Sequence, residues 1–164
     1  MKHPKNPKQT TTPIPPLVLT CIIGALMLAS KAFLSFSAIP LPATPSHYTT
    51  AVALLLMTMG CIPFINAVYL FLTAHTTVNP TQPGTSSSLV THGIYRITRN
   101  PMYLGFLLWL IAWGIYLENM VGLSGPLFFY WYINRYQIPF EETALKDHFG
   151  TTYEMYCKKT RRWL

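Results

Sequence analysis

Apolar positions in this chain gather in long unbroken runs separated by short polar stretches. The first run extends from about Pro16 to Phe36 and is interrupted only by Lys31. The second, Ala51 to Leu72, carries no charge, and Pro63 inside it should kink a helix. The third, Pro101 to Leu117, lies between Arg99 and Glu118. The fourth starts near Met120 and reaches about Phe140, with Arg135 close to its end. A bilayer-crossing helix needs about 20 mostly apolar residues, and main-chain groups in hydrocarbon must be bonded within their own segment. The pattern therefore predicts an all-α integral membrane protein with about four transmembrane helices. A barrel would need shorter, alternating segments, and no such alternation is seen.

After Phe140 the rhythm changes. Leu145, Phe149, Tyr153 and Tyr156 recur near helical spacing in an otherwise polar stretch, broken by Gly150. This predicts a C-terminal amphipathic helical tail of two short helices lying against the membrane face. Thr76–Ser88 is rich in Thr, Pro, Ser and Gly and reads as a loop. No internal repeat is visible, so residues 1–164 read as a single domain.

Composition supports this class. The 164 residues are 51% hydrophobic and only 10% charged, against about 25% charged in soluble domains. The net charge of +7 does not indicate nucleic-acid binding, because the basic residues flank apolar runs. Lys2, Lys5 and Lys8 precede the first run, and Arg96 and Arg99 separate the second from the third. The others, Lys31 excepted, lie at or beyond the end of the fourth. By the positive-inside rule both termini and the 73–100 segment face the cytoplasm. Lys31 can snorkel to the outer interface. A cleaved secretory signal ending near Ser35-Phe36-Ser37 is an alternative for the first run, and it leaves the orientation of the rest unchanged. Three cysteines, an odd number, form no fully paired disulfide framework, and five scattered histidines show no metal-ligand spacing.

Chemistry-bearing residues concentrate at the cytoplasmic side. One cluster runs from Leu89 to Tyr103. Asn100 is a natural N-cap and Pro101 a natural first helical residue, so the third helix starts there with unpaired N–H groups that suit a carboxylate or phosphate. Tyr95 and Tyr103 add hydroxyls. On a purely structural reading, Asn-Pro caps the helix and the tyrosines are interfacial belt residues. The second cluster is Glu141-Glu142, two of only five acidic residues. A carboxylate near hydrocarbon is costly unless paired. The pair could hold a cationic or hydroxyl-rich ligand, or simply pair with Arg135, Lys146 or Arg99. Pro63, Asn66 and Asn134 are candidates for a lateral opening to the bilayer, or for a kink and interhelical hydrogen bonds.

The segment from about Val78 to Leu164 resembles the integral-membrane methyltransferases of the isoprenylcysteine carboxyl methyltransferase and phospholipid methyltransferase group. The resemblance rests on Leu89-Val90, Gly93-Ile94-Tyr95, Arg99-Asn100-Pro101-Met102-Tyr103-Leu104-Gly105, Glu141-Glu142, Phe149-Gly150, Tyr153, Tyr156 and the closing Arg161-Arg162-Trp163-Leu164. It implies S-adenosyl-L-methionine as methyl donor. It also implies cofactor contacts at Ser88, Leu89, Val90, Tyr95, Asn100, Pro101, Tyr103 and Glu141, with Glu142 beside them. Asn100 stands where the eukaryotic enzymes have His, which removes a titratable group. Gln137 stands where the prenylcysteine enzymes carry a substrate-binding Arg, with Arg135 two residues away, so these two are the candidate substrate residues. The short form looks more like bacterial members, which implies the bacterial inner membrane.

The resemblance implies an acceptor that is lipid-like or lipidated and enters from the bilayer, while the donor arrives from the cytoplasm. No metal and no nucleic acid are implied. In this reading Glu141 binds the donor's ammonium or ribose hydroxyls, the N–H groups near Asn100-Pro101 receive its carboxylate, and Tyr95 with Leu89-Val90 lines the adenine. Two rival readings stand: a nicotinamide-dependent membrane reductase of the sterol reductase type, and a non-catalytic four-helix membrane subunit.

Overall fold

A computed structural model describes residues 13–36, 45–74 and 88–164. Lys2, Lys5, Lys8, Ser37 and all of the Thr76–Ser88 loop except Ser88 lie outside the described residues. Within them the ordered chain is helical, without strands beyond one isolated bridge between Thr98 and Arg161.

Helix α1 spans Pro16–Phe36 and α2 spans His47–Thr73. Proline at the first position of α1 suits a helix start, where its missing N–H is no loss. Ser46 caps α2, its hydroxyl accepting from Thr49 N at 3.1 Å. The second helix therefore starts four residues before the apolar run, because polar His47–Thr50 form its first turn. It runs through Pro63, which is buried. Helix α3 spans Pro101–Leu117, as its apolar run predicts. The fourth run differs from expectation. A tight turn occupies 118–123, and α4 covers only Ser124–Tyr132. A wider π turn, Ile133–Gln137, then leads into α5, Ile138–Phe149. Gly150, at φ 53°, breaks the chain before α6, Thr151–Lys159; that left-handed conformation favours a residue without Cβ.

Helices α2 and α3 meet backbone to backbone. A Cβ on Gly105 would lie 2.8 Å from the Gly60 carbonyl oxygen, and one on Gly60 would lie 3.0 Å from that of Gly105. Small residues permit such approach between apolar helices. Leu19, Ile23 and Met27 of α1, Phe106 and Leu110 of α3, and Phe129 and Ile133 around α4 form the main core. A second cluster joins Ala67, Val90, Tyr95, Tyr153 and Tyr156. Through it α6 packs Tyr153 and Tyr156 into the protein.

The end of the bundle opposite this cluster is tied by polar groups. Glu118 accepts from Ser46 N at 2.9 Å and from Thr49 Oγ1 at 2.6 Å. Buried Asn119 donates to Ser30 Oγ at 2.7 Å. Among the described residues, α1 and α2 are long and apolar enough to cross a membrane. Their outward residues, such as Leu26, Phe33, Leu54 and Ile62, are exposed. The 17-residue α3 is a shorter apolar helix.

Candidate active site

The site is assembled around the start of α3. Thr98, wholly buried, donates from Oγ1 to Arg162 O at 3.0 Å, and Arg99 N donates to Arg161 O at 2.9 Å. The Asn100 amide is drawn into the same clip, its Nδ2 donating to Arg162 O at 2.9 Å. This corrects one expectation. Asn100 holds the N-cap position, yet its side chain makes no cap bond; its Nδ2 is bonded to the carbonyl of Arg162 instead. The first main-chain bond of α3 runs from Leu104 N to Asn100 O, so the N–H groups of Met102 and Tyr103 precede the helical ladder.

The adjacent glutamates separate into two roles, since neighbouring residues on a helix point about 100° apart. Glu142 is held by two arginines. Arg99 Nη2 lies 2.6 Å from its Oε1, and Arg162 donates from Nε at 3.0 Å and from Nη2 at 2.5 Å to its two oxygens. Arg99 also donates from Nη1 to Thr160 O at 2.5 Å and Cys157 O at 3.2 Å. Burial works against the charge on Glu142, but the hydrogen bonds from Arg162 and Arg99 outweigh it and hold its carboxyl below the usual range. The pairing expected with Arg99 is present. Lys146 pairs instead with Glu154, at 2.7 Å, and Arg135 stands exposed.

Glu141 has no cation partner among the described residues. Its Oε1 accepts from the Tyr103 hydroxyl and from Gln137 Nε2, the latter at 2.6 Å. Burial pushes this carboxyl up to about 7, the two hydrogen bonds pull against that rise, and the charge on Glu142 adds to it. Burial likewise raises the Tyr95 hydroxyl far above its ordinary value, helped by Tyr156 and Glu141, so it stays protonated. The Tyr156 hydroxyl donates to Tyr95 O at 2.7 Å and fixes the turn before α3 to α6.

These groups face a cavity of about 480 Å³. Ser88, Leu89, Val90, Tyr95, Asn100, Pro101, Tyr103, Glu141 and Glu142 all line it. The expected residues are therefore brought to one place, with Asn100 and Glu141 bordering the same space. Arg135 and Gln137 are not in the lining; Gln137 sits buried behind Glu141. Pro63, Asn66 and Asn134 are also outside it, and the two Asn amides donate to carbonyls of their own helices. The opposite wall is apolar, made by Pro15–Val18 at the start of α1 and by Phe64, Val68 and Phe71 of α2. These wall residues were not singled out from sequence, since nothing distinguishes them from other apolar residues in their runs. Arg162, part of the closing Arg161-Arg162-Trp163-Leu164 motif, emerges as a partner of Glu142 through a contact 20 residues away.

A model of the phospholipid methyltransferase family matches residues 48–152. An uncharacterised protein of Haemophilus influenzae is 46% identical over 63 residues, which are 38% of this chain and all of that protein. A probable protein-S-isoprenylcysteine O-methyltransferase of rice (Oryza sativa subsp. indica) is 37% identical over 76 residues, 46% of this chain and 40% of that protein. Protein-S-isoprenylcysteine O-methyltransferase A of Arabidopsis thaliana is 39% identical over 70 residues, 43% of this chain and 36% of that protein. The chain therefore spans well under half the length of these two plant relatives. No solved structure matches.

Proposed function

The chain belongs to the phospholipid methyltransferase family, and from that membership we propose that it is an integral-membrane methyltransferase using S-adenosyl-L-methionine and a lipid-like or lipidated acceptor. The observation that carries this reading is the two-sided cavity. One wall offers a helix start, a buried carboxyl and tyrosine hydroxyls; the other is apolar and built from α1 and α2.

The residues present fit the donor. The cavity volume lies in the range of pockets for ligands of that size, about 300–1,000 Å³. Glu141 would hold an ammonium or ribose hydroxyls, and a cation beside it would favour its ionised form. The Met102 and Tyr103 N–H groups would receive the carboxylate at the positive end of α3. Leu89, Val90 and Tyr95 would pack against the adenine. When bound, S-adenosyl-L-methionine supplies an electrophilic methyl group on a sulfonium sulfur. Phe64, Val68 and Phe71 exclude water beside it, where a nucleophile that becomes less charged as it reacts is favoured. Tyr103 and Glu142 with its arginines keep the polar wall in register, so that positioning contributes to the rate.

The α1–α2 wall would receive an apolar acceptor laterally from the bilayer. In this reading residues 1–164 form one membrane domain that crosses four times, with both termini cytoplasmic and the inner membrane of a bacterium as its site. The test is to offer radiolabelled S-adenosyl-L-methionine to membranes containing the chain. Label in the lipid extract or in a lipidated protein, lost in Glu141→Gln, is expected. Purified protein that binds no donor while membranes gain no label would overturn the reading.

A further inference from the structure

The π turn stands at the one place where its geometry changes the site. Phe129 and Ile133 are wholly buried on the core face, while Arg135 and Tyr136 are exposed. In an uninterrupted α-helix, a residue eight positions beyond Ile133 lies roughly 80° off its face. That residue is Glu141. A π turn advances less per residue, so the segment after it is rotated back, and Glu141 returns to the cavity. Such single wide turns recur at functional sites.

Gln137 closes the π turn and is buried. Its Nε2 lies 2.6 Å from Glu141 Oε1, the oxygen that also accepts from Tyr103. Glu141 Oε2 takes part in neither bond. Two donors on one oxygen fix the plane of the carboxyl and leave the other oxygen to the site's ligand. We infer that the π turn is a positioning device and that Gln137 is a positioning residue, one that locks the Glu141 carboxyl at the cavity rather than contacting the acceptor. This rests on the assignment of Glu141 to the donor pocket, but the lock itself can be tested without a donor.

The groups around the Glu141 carboxyl are Tyr103 of α3, Tyr95 of the turn before it, Gln137, and the adjacent Glu142 with Arg99. Gln137 and Tyr103 stabilise the carboxylate; Glu142 opposes it. Removing the Gln137 donor therefore makes Glu141 hold its proton to higher pH. The experiment is an infrared titration of the carboxylic-acid band in the full chain, in lipid nanodiscs, with Glu141→Gln identifying the band. Gln137→Leu and Gln137→Met both remove the donor, and Met keeps the unbranched length. An upward shift of the band's midpoint by about one pH unit is expected, as for loss of one hydrogen bond to a charged group. A midpoint unmoved in whichever variant folds overturns the inference. Donor binding by the wild type is measured separately. Its failure would count against the donor reading and leave the titration result standing.

Discussion

Arg99 and Glu142 lie 43 positions apart in the chain and meet at 2.6 Å. Through this contact the start of α3, the middle of α5 and the end of α6 become one unit, because Arg99 also serves Thr160 O and Cys157 O. Arg99→Met leaves Glu142 with one cation and frees two carbonyls. It is expected to cost about 2–4 kcal/mol, as for breaking a largely buried, hydrogen-bonded pair. A thermal melt in nanodiscs measures this, and an unchanged midpoint would refute the bracing role.

Glu141→Gln should behave differently. It keeps the shape and removes the charge available to a cationic ligand. Donor affinity is expected to fall by about 1.5–3 kcal/mol, as for a lost charge-assisted bond. Glu142→Gln is expected instead to lower stability. Calorimetric titration and melting of the two variants side by side would separate these effects. Equal losses of affinity with equal stability would refute the division of roles.

Burial gives Glu141 a pH signature. Its folded-state pKa of about 7 lies above the ordinary 4.5, so the folded chain holds a proton that the unfolded chain has lost. The stabilisation is fully present below pH 4.5 and is lost as pH rises through 7, roughly 3 kcal/mol in all. Glu141→Gln should flatten that decline. A cationic donor favours the carboxylate, so binding near pH 6 should release a proton. Titrations in buffers of different ionisation enthalpy detect the release, and identical heats would contradict it.

Val68 tests the apolar wall. Val68→Trp fills space on the α2 side of the cavity. Once an acceptor is in hand, its KM should rise at least several-fold while donor affinity stays within twofold. An equal loss of both would place the donor against α2 instead.

Much of this arrangement was legible in sequence, for identifiable reasons. Long apolar stretches located α1 and α3 because hydrocarbon tolerates few alternatives to a helix. The start of α2 is hidden from hydropathy because Ser46 and the first turn are polar. The interruption at Ile133–Gln137 left no trace in hydropathy, since its residues keep the average polarity of a helix end. Asn100 carried the chemistry of a cap, yet a carbonyl from the far end of the chain claimed its amide. Tyr153 and Tyr156 showed their period but not their partner. Amphipathicity says that a face is covered, and here Tyr95 and Val90 cover it. The pairing of Arg162 with Glu142 depends on how helices meet, which local pattern does not encode.

The ties at Glu118 and Asn119 fix one end of α1 and α2, and packing holds the rest of their length. Ser30 and Thr49 are riveted at that end, whereas Pro15–Val18 and Phe64–Phe71 lie many residues away along the same two rods. At about 1.5 Å per residue the cavity wall lies roughly 20–30 Å from those ties. Between the two ends Gly60 seats α2 on Gly105 of α3, and Leu19, Ile23 and Met27 seat α1 in the core, so the apolar side of the cavity is clamped along its length, as the polar side is by its arginines.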